Sequence, residues 1–598
     1  MCLYDLSDFT GITRADALKS LAALGSLPLL GGIAPSPPEV SPVNNGAAVT
    51  ALVGATAFLG DELSIVHDST IVLRGNRILA AGPSDSVLVP SGAQRITVRD
   101  KFVLPGLIDS HVHFFQSGGL FTRPDIIDLR AVRPYTEELA WIDAHLDDTF
   151  ARYLRAGITS VSDVGGPFWN YDVRARAARM PLAPRVAAAG PLISSVDRSI
   201  LSPHGDPPIV KIDSPDAARA LVRREAQYQT DFVKMWWIVT KDHPAAAFVP
   251  VAHATVAESR AQALRVAIHA LELETARLAA EAGTDVLVHS VFDKDVDDAF
   301  VALLKERNII LCPTIRVLGG YETTLAERPE LSIQDLRLAN PETVGTLFML
   351  ADLSGGETPS QLAAAQRVDP AERRAAAMRN LRRLHDAGVT IAAGTDAGNI
   401  GTLHASSLYA ELETMVQSGV PERDVLIMAT LNGAKHMARD RELGTIAPGK
   451  LADLVVLDEN PVDDIRNISS VGLVVKDGRA YHPGDLVRDT PEQLAQRHVN
   501  AFNAHKPAAL AELYSPDGYV DDRGTVVRTP QRIDEYFASF FARNPIVHAK
   551  ITARTSHGSR VTLRQQISSL HDGSSFEEDA TFSVSGAFIA GSRTHQLG

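Results

Sequence analysis

His111 and His113 stand two apart in PGLIDSHVHF, directly after the apolar run at 102–108. On a β-strand, residues i and i+2 project to the same side. Both imidazoles then face one point, as a shared metal ion requires. Four further side chains of similar chemistry lie in or at the end of later apolar runs. They are Lys234 in DFVKMWW, His269 in RVAIHA, His289 in DVLVHS and Asp396 in VTIAAGTDAGN. The two cysteines, Cys2 and Cys312, are far apart and form no CxxC pair, so any metal falls to His, Asp, Glu or Lys. Imidazole and carboxylate donors suit zinc, and Mn, Fe or Co accept the same set.

These six need a frame that gathers strand ends. Short apolar runs alternate with long amphipathic stretches: the HVH strand, GITSVSDV, RVAAAGPLI, DFVKMWWIV, RVAIHA, DVLVHS, IILCPTI and VTIAAGTDA. Helical candidates include 137–156 and 254–264. Eight such units in roughly 300 residues predict a (β/α)8 TIM barrel over 105–439, in the α/β class. In that fold the strand C-terminal ends converge on one face, where chemistry sits. The segment 319–385 is long for one crossover and mostly helical, and is expected to fold over the mouth as a lid. Short strands at 47–104 and 440–486 predict a small β-sandwich domain built from both flanks. A linker is expected at 483–491. Residues 490–598 open with a helix and continue in strands, an α+β unit.

In these motifs the chain resembles the amidohydrolase superfamily, and in particular its imidazolonepropionase-like and Xaa-Pro-dipeptidase-like branch. PGLIDSHVHF, the GITSVSD turn, Lys234, His269, His289, GTDAG and GTIAPGKLADLVVLDENP carry the resemblance over about 49–481. It implies two divalent metal ions. His111, His113 and Asp396 would hold the more buried one, and His269 and His289 the more exposed one. Lys234, carboxylated by CO2 to a carbamate, would bridge them. A bridging hydroxide would attack an acyl carbon, with Asp396 passing the proton to the leaving amine. The implied reaction is cleavage of an amide C–N bond in a small molecule such as a dipeptide or N-acyl amino acid. Two alternatives stay open. One is a mononuclear deaminase on the same barrel; the other is an inactive scaffold whose C-terminal unit binds a partner.

Substrate contacts are expected from His204 in SPHGD, from Trp236, which shares a strand face with Lys234, and from Arg316, whose guanidinium suits a substrate carboxylate. Phe114, Phe115 and Trp169 would add aromatic walls. His145, His243, His253, His385 and His436 are read as structural, and His404 carries little catalytic weight. AFNAHKPAALAELYSPDG and SFEEDATFSVSG give residues 490–598 a resemblance to the SnoaL-like group, similar in fold to nuclear transport factor 2. That implies a dimerisation or accessory role, with Asp521, Asp522 and His548 as cavity candidates.

Formal net charge is −14 over 598 residues, which argues against a broad nucleic-acid surface. The partner is a small-molecule amide, and a homo-oligomer is compatible with the C-terminal unit. Residues 1–46 hold a signal-like segment and a proline-rich linker. The apolar stretch LAALGSLPLLGGIA is too short to span a bilayer, for which about 20 residues are needed. It resembles a degenerate twin-arginine signal, with Ala15 where the second arginine would stand. Export and a cytoplasmic location both remain open.

Overall fold

The computed structural model describes residues 49–354, 370–569 and 574–597. The signal-like segment and linker expected over 1–46 lie outside the described residues. Two compact units divide the rest: one from 49–319 and 370–487, the other from 320–354 and 488–597. No helix among the described residues is long and apolar enough to cross a membrane.

In the first unit both flanks share one eight-stranded sheet. Its strands run in the order Arg479–Tyr481, Val471–Lys476, Leu454–Leu457, Phe102–Pro105, Val49–Leu59, Ser64–Arg74 and Arg77–Pro83, with Gln94–Thr97 also paired to Val49–Leu59. The flanks meet where Val456 stands opposite Val103. The strands of the small β-domain expected from both flanks thus join in one hydrogen-bonded sheet. Register shifts interrupt its ladder at Val53/Ala55 and Ala55/Ala57. Bulges bend a strand and increase its twist, and the bent sheet closes on its own core of Leu52, Ile71, Leu73, Val103, Leu454 and Val475.

The remainder of this unit is parallel and helix-connected. One sheet orders Leu107–Val112, Ile158–Asp163 and Arg185–Ala188. Another orders Ile209–Lys211, Leu192–Ser194, Phe232–Trp236, Arg265–His269, Val286–Val288 and Ile310–Cys312. Parallel neighbours need crossovers, supplied mainly by helices. The strands are near-continuous apolar runs because both faces are covered. Backbone bonds join the two sheets: Asp231 N to the Ala188 carbonyl at 3.1 Å, Leu311 N to Thr390 at 2.9 Å, and Ser110 N to Ala393 at 2.9 Å.

Several elements depart from the sequence reading. RVAAAGPLI splits into Arg185–Ala188 and Leu192–Ser194, which lie in different sheets; Pro191 between them has no N–H for a ladder. VTIAAGTDA is not a regular strand. It makes isolated parallel bridges at Ile391 and Ala397, and its other backbone groups go elsewhere: Ala393 N to Met428, Thr395 N and Asp396 N both to His111. The helix expected over 137–156 is two helices, Tyr135–Ala144 and Leu146–Arg155, broken at His145. The one expected at 254–264 runs Val249–Ala261 and begins earlier, with a proline in its first turn, where proline costs nothing. The expected linker contains the short helix Pro483–Leu486, because Leu486 is buried against Ala151, Leu154 and Leu182.

The second unit is a six-stranded sheet ordered Thr525–Arg528, Tyr514–Asp522, Phe588–Gln596, Ser575–Ser585, Arg560–Ser569 and Val547–His557. Its helix Pro491–Asn503 starts with a capping box between Thr490 and Gln493. Helices Ile333–Leu338 and Pro341–Leu347 belong to this unit. Arg497 donates to the carbonyls of Leu336 and Ala339, and Asn500 Nδ2 to that of Pro341 at 2.7 Å. The lid expected over 319–385 is thus not one continuous excursion. Its first half packs in the second unit. Its last helix, Pro370–Asp386, is pinned in the first, where Asn380 Nδ2 donates to the Val291 carbonyl at 2.8 Å.

Candidate metal centre

Asp109, His111 and His113 share one face of the strand Leu107–Val112 and its continuation, and all are buried. His113 Nδ1 lies 2.7 Å from the Gly165 carbonyl. A carbonyl only accepts, so Nδ1 carries the proton and Nε2 presents a lone pair. His113 Nε2 stands 3.1 Å from Asp396 Oδ1, and His111 Nε2 stands 3.2 Å from the same oxygen. The two Nε2 atoms are 3.2 Å apart. Ligand atoms of His111, His113 and Asp396 all lie within 4.8 Å of one another, so these three could hold a metal ion.

The other three predicted side chains adjoin this group. His289 packs against His111 with ring centroids 5.2 Å apart, and His269 against His289 at 4.4 Å. Lys234 ends two residues before Trp236 on the neighbouring strand, and its charge acts on both His111 and His269. The nitrogens Lys234 Nζ, His269 Nδ1 and Nε2, and His289 Nε2 are buried and make no hydrogen bond. Buried polar atoms normally have partners. A cluster of open nitrogens beside a carboxylate suits cations, and the donor set fits divalent metal ions. Burial pushes His111, His269 and His289 well below the usual imidazole range, which leaves them neutral, the form that binds metal. Burial likewise lowers the Lys234 amine to about 7, against the opposing pull of Asp396.

The backbone is strained where these ligands sit. His289 has φ 76°, Thr314 φ 46° and Asp396 φ 63°. Left-handed non-glycine residues are held only where surroundings over-determine them, and they gather at functional sites.

Some positioning residues escaped the sequence reading. Asp109 Oδ1 accepts the N–H of His111 at 3.2 Å and of Thr395 at 3.1 Å. Its place at i−2 from His111 was a usable signal, since alternate residues share a face. Thr314 Oγ1 meets His289 Nδ1 at 2.5 Å, and Gly165 supplies a carbonyl; neither carries a signal in sequence.

The substrate candidates fare unevenly. Trp236 is fully buried and meets His269 edge-on at 6.1 Å. His204 is exposed on a turn. Arg316 opens the helix Arg316–Leu325, half-buried, with its N–H on Glu411 Oε2 at 2.7 Å. Phe115 meets His113 edge-on at 5.7 Å, whereas Phe114 stacks on His404. His404 is structural. Its Nε2 donates to the Gln116 carbonyl and its Nδ1 accepts from Tyr153, each at 2.8 Å. His253 lies exposed on a helix. In the second unit Asp521 pairs with Arg593, Asp522 with Tyr536 and Thr594, and His548 with Asp352.

Residues 102–481 match the amidohydrolase family and residues 495–588 match the SnoaL-like domain. An imidazolonepropionase of Streptomyces coelicolor is 27% identical over 433 residues, 69% of this chain and 91% of that protein. A 5-methylthioadenosine/S-adenosylhomocysteine deaminase of Moorella thermoacetica is 37% identical over 79 residues, 12% of this chain and 18% of its own length. Among solved structures, a Xaa-Pro dipeptidase with methionine bound in its active site is similar in fold. Its TM-score is 0.55 at 24% identity, covering 73% of this chain and all of that one.

Proposed function

This chain belongs to the amidohydrolase family, and on that premise we propose that it is a binuclear metal-dependent hydrolase of a small-molecule amide. It is a hydrolase acting on C–N bonds with a TIM-barrel-type α/β fold, like its relatives. The finer reading has a (β/α)8 barrel over 105–439 and a dipeptide or N-acyl amino acid as substrate. One observation supports it: the ligand atoms of His111, His113 and Asp396 lie within 4.8 Å of one another, and the rings of His289 and His269 pack alongside with buried nitrogens that make no hydrogen bond.

His111, His113 and Asp396 would hold one metal ion and His269 and His289 a second, with zinc best suited to these donors. When bound, a metal pair supplies Lewis acidity and lowers the pKa of water toward neutrality. Lys234 would bridge the pair as a carbamate. Its neutral amine would add to CO2, forming an N–C bond as one C=O π bond opens to a carboxylate and a proton leaves the nitrogen, and burial favours that neutral amine. Asp396 would take a proton from the attacking water and hand it to the departing amine nitrogen. The Gly165 carbonyl fixes the His113 tautomer, and Thr314 orients His289. The SnoaL-like unit would serve in dimerisation or as an accessory.

Metal analysis of the purified chain tests the reading, with close to two ions per chain expected. A single tightly held ion would favour the mononuclear deaminase alternative, to which the short deaminase match corresponds. A screen of dipeptides and N-acyl amino acids with the metal-loaded protein supplies the second arm. No turnover of any amide in that panel would remove the proposed substrate class.

A further inference from the structure

His289 and Thr314 face each other where two neighbouring strands run out. Past the ladder between Val286–Val288 and Ile310–Cys312, His289 N donates to the Cys312 carbonyl at 2.8 Å and Ser290 N to that of Pro313 at 3.0 Å. Both residues are left-handed, His289 with φ 76° and Thr314 with φ 46°. For a β-branched residue this is a genuine outlier, and it persists only where the surroundings impose it. Thr314 is buried, and its Oγ1 lies 2.5 Å from His289 Nδ1.

The helix Arg316–Leu325 starts two residues after Thr314. The first N–H groups of a helix have no partner inside it, and a threonine hydroxyl just ahead is a natural acceptor for them. Thr314 is turned to His289 instead. The acceptor is Glu411, 96 positions after Ile315, on the helix Ser407–Gln417. Glu411 is fully buried. Its Oε1 takes the Ile315 N–H at 2.9 Å and its Oε2 the Arg316 N–H at 2.7 Å. Strand pairing thus holds the chain before Thr314, and Glu411 holds it after.

We propose that Glu411 is a positioning residue for His289. By taking the two N–H groups it leaves the Thr314 hydroxyl to the imidazole. There the hydroxyl accepts from Nδ1–H and keeps the lone pair on Nε2. His289 Nε2 is buried and makes no hydrogen bond, so that lone pair is open to a cation. The inference rests on the metal-centre reading for what Nε2 binds, and on its own contacts for how the ring is held. Without the Glu411 carboxylate, the Thr314 hydroxyl is expected to turn to the unpaired N–H groups, and His289 loses its orienting partner.

Nitrogen-15 NMR of histidine-labelled, metal-free full chain reads the ring directly, with the His289 signals identified by their absence in His289→Gln. The proton is expected on Nδ1 in wild type and in Thr314→Ser, which keeps the hydroxyl. That preference should be lost in Thr314→Val and in Glu411→Gln, whose amide oxygen replaces only one of the two acceptors. A proton on Nε2 in wild type overturns the proposal, and so does an unchanged preference in either of these two variants. Thr314→Val is nearly isosteric, so its arm decides even if Glu411→Gln fails to fold.

In the metal-loaded chain, competition against a chelator should show each single variant weakening one bound ion about 10-fold, the scale for losing a group that orients a ligand. If Glu411 acts through Thr314, the double variant stays within about 2-fold of Thr314→Val alone. A double variant weakened by the product of the two single losses overturns the proposal, because a carboxyl that merely supports the fold adds its own cost. Metal content is scored separately: a chain whose His289 follows Glu411 but which holds one ion keeps the clamp and loses the binuclear reading.

Discussion

The Thr395 hydroxyl donates to Asp109 Oδ2 at 2.8 Å, tying the strand that carries His111 to the segment that carries Asp396. The other Asp109 oxygen takes the N–H groups of His111 and Thr395. One carboxylate thus sets the separation of two proposed ligands that are nearly three hundred positions apart. Asp109→Ala removes the shared acceptor of three buried donors, leaving Thr395 only its longer 3.3 Å bonds to the His111 carbonyl, and loosens both segments. Metal affinity should fall about 10- to 100-fold, the usual scale for losing a group that orients a ligand. Thr395→Val removes one of the three bonds and should cost less. Competition against a chelator of known affinity measures both; unchanged metal affinity in Asp109→Ala would show that the carboxylate does not position the ligands.

Lys234 is buried, without a hydrogen bond at Nζ, and adjacent to the histidines. If its role is a carbamate bridge, Lys234→Ala should lower kcat/KM by at least about 100-fold and reduce bound metal. Short carboxylic acids, or bicarbonate supplied with them, should restore part of both by occupying the vacated position. A purely structural lysine would show no such rescue. Normal turnover in the variant would end the carbamate proposal.

Glu411 links a titration to stability. It is fully buried on the helix Ser407–Gln417 and accepts the N–H groups of Ile315 and Arg316 at 2.9 and 2.7 Å. Burial lifts its carboxyl from 4.5 to about 7, in spite of those bonds and of Arg316 and Arg374. A raised acid binds its proton more tightly folded than unfolded. Its contribution is complete below pH 4.5 and is lost as pH rises through 7, on the order of 3 kcal/mol in all. Asp109 is lifted to about 7 as well, so the difference between wild type and Glu411→Gln isolates this group. Denaturant unfolding from pH 5 to 8 should show the variant gaining on wild type as pH rises. A difference that stays flat with pH would rule out the buried-proton account.

Much of the site was legible in sequence because its chemistry lies at strand ends. Apolar runs mark strands, and a His, Lys or Asp closing such a run is conspicuous. That logic brought Lys234, His269 and His289 to the HVH pair across long separations. It misjudged the element carrying Asp396, whose backbone bonds go to His111 and Met428 instead of a regular ladder. Such long-range pairing has no local periodicity to betray it. The register shifts in the strand Val49–Leu59 were equally hidden, since two-residue alternation does not reveal a bulge in advance.

Arg497 offers a test confined to the second unit. Its guanidinium is buried and pairs with Asp489, Nε to Oδ2 at 2.6 Å. It also donates to the carbonyls of Leu336 and Ala339 at the end of the helix Ile333–Leu338. A helix C-terminus leaves carbonyls without partners, and a cation there also complements the helix dipole. Arg497→Ala removes every one of these donors and takes its guanidinium partner from the nearly buried Asp489 carboxylate. Breaking a buried pair from one side typically costs about 3–5 kcal/mol. Thermal unfolding should therefore show the second unit melting at lower temperature while metal content, held by residues of the first, stays at the wild-type level. Asp489→Asn keeps an acceptor for the guanidinium and should cost less. If Arg497→Ala melts as wild type does, the helix Ile333–Leu338 is held by its apolar contacts, and the arginine is dispensable to it.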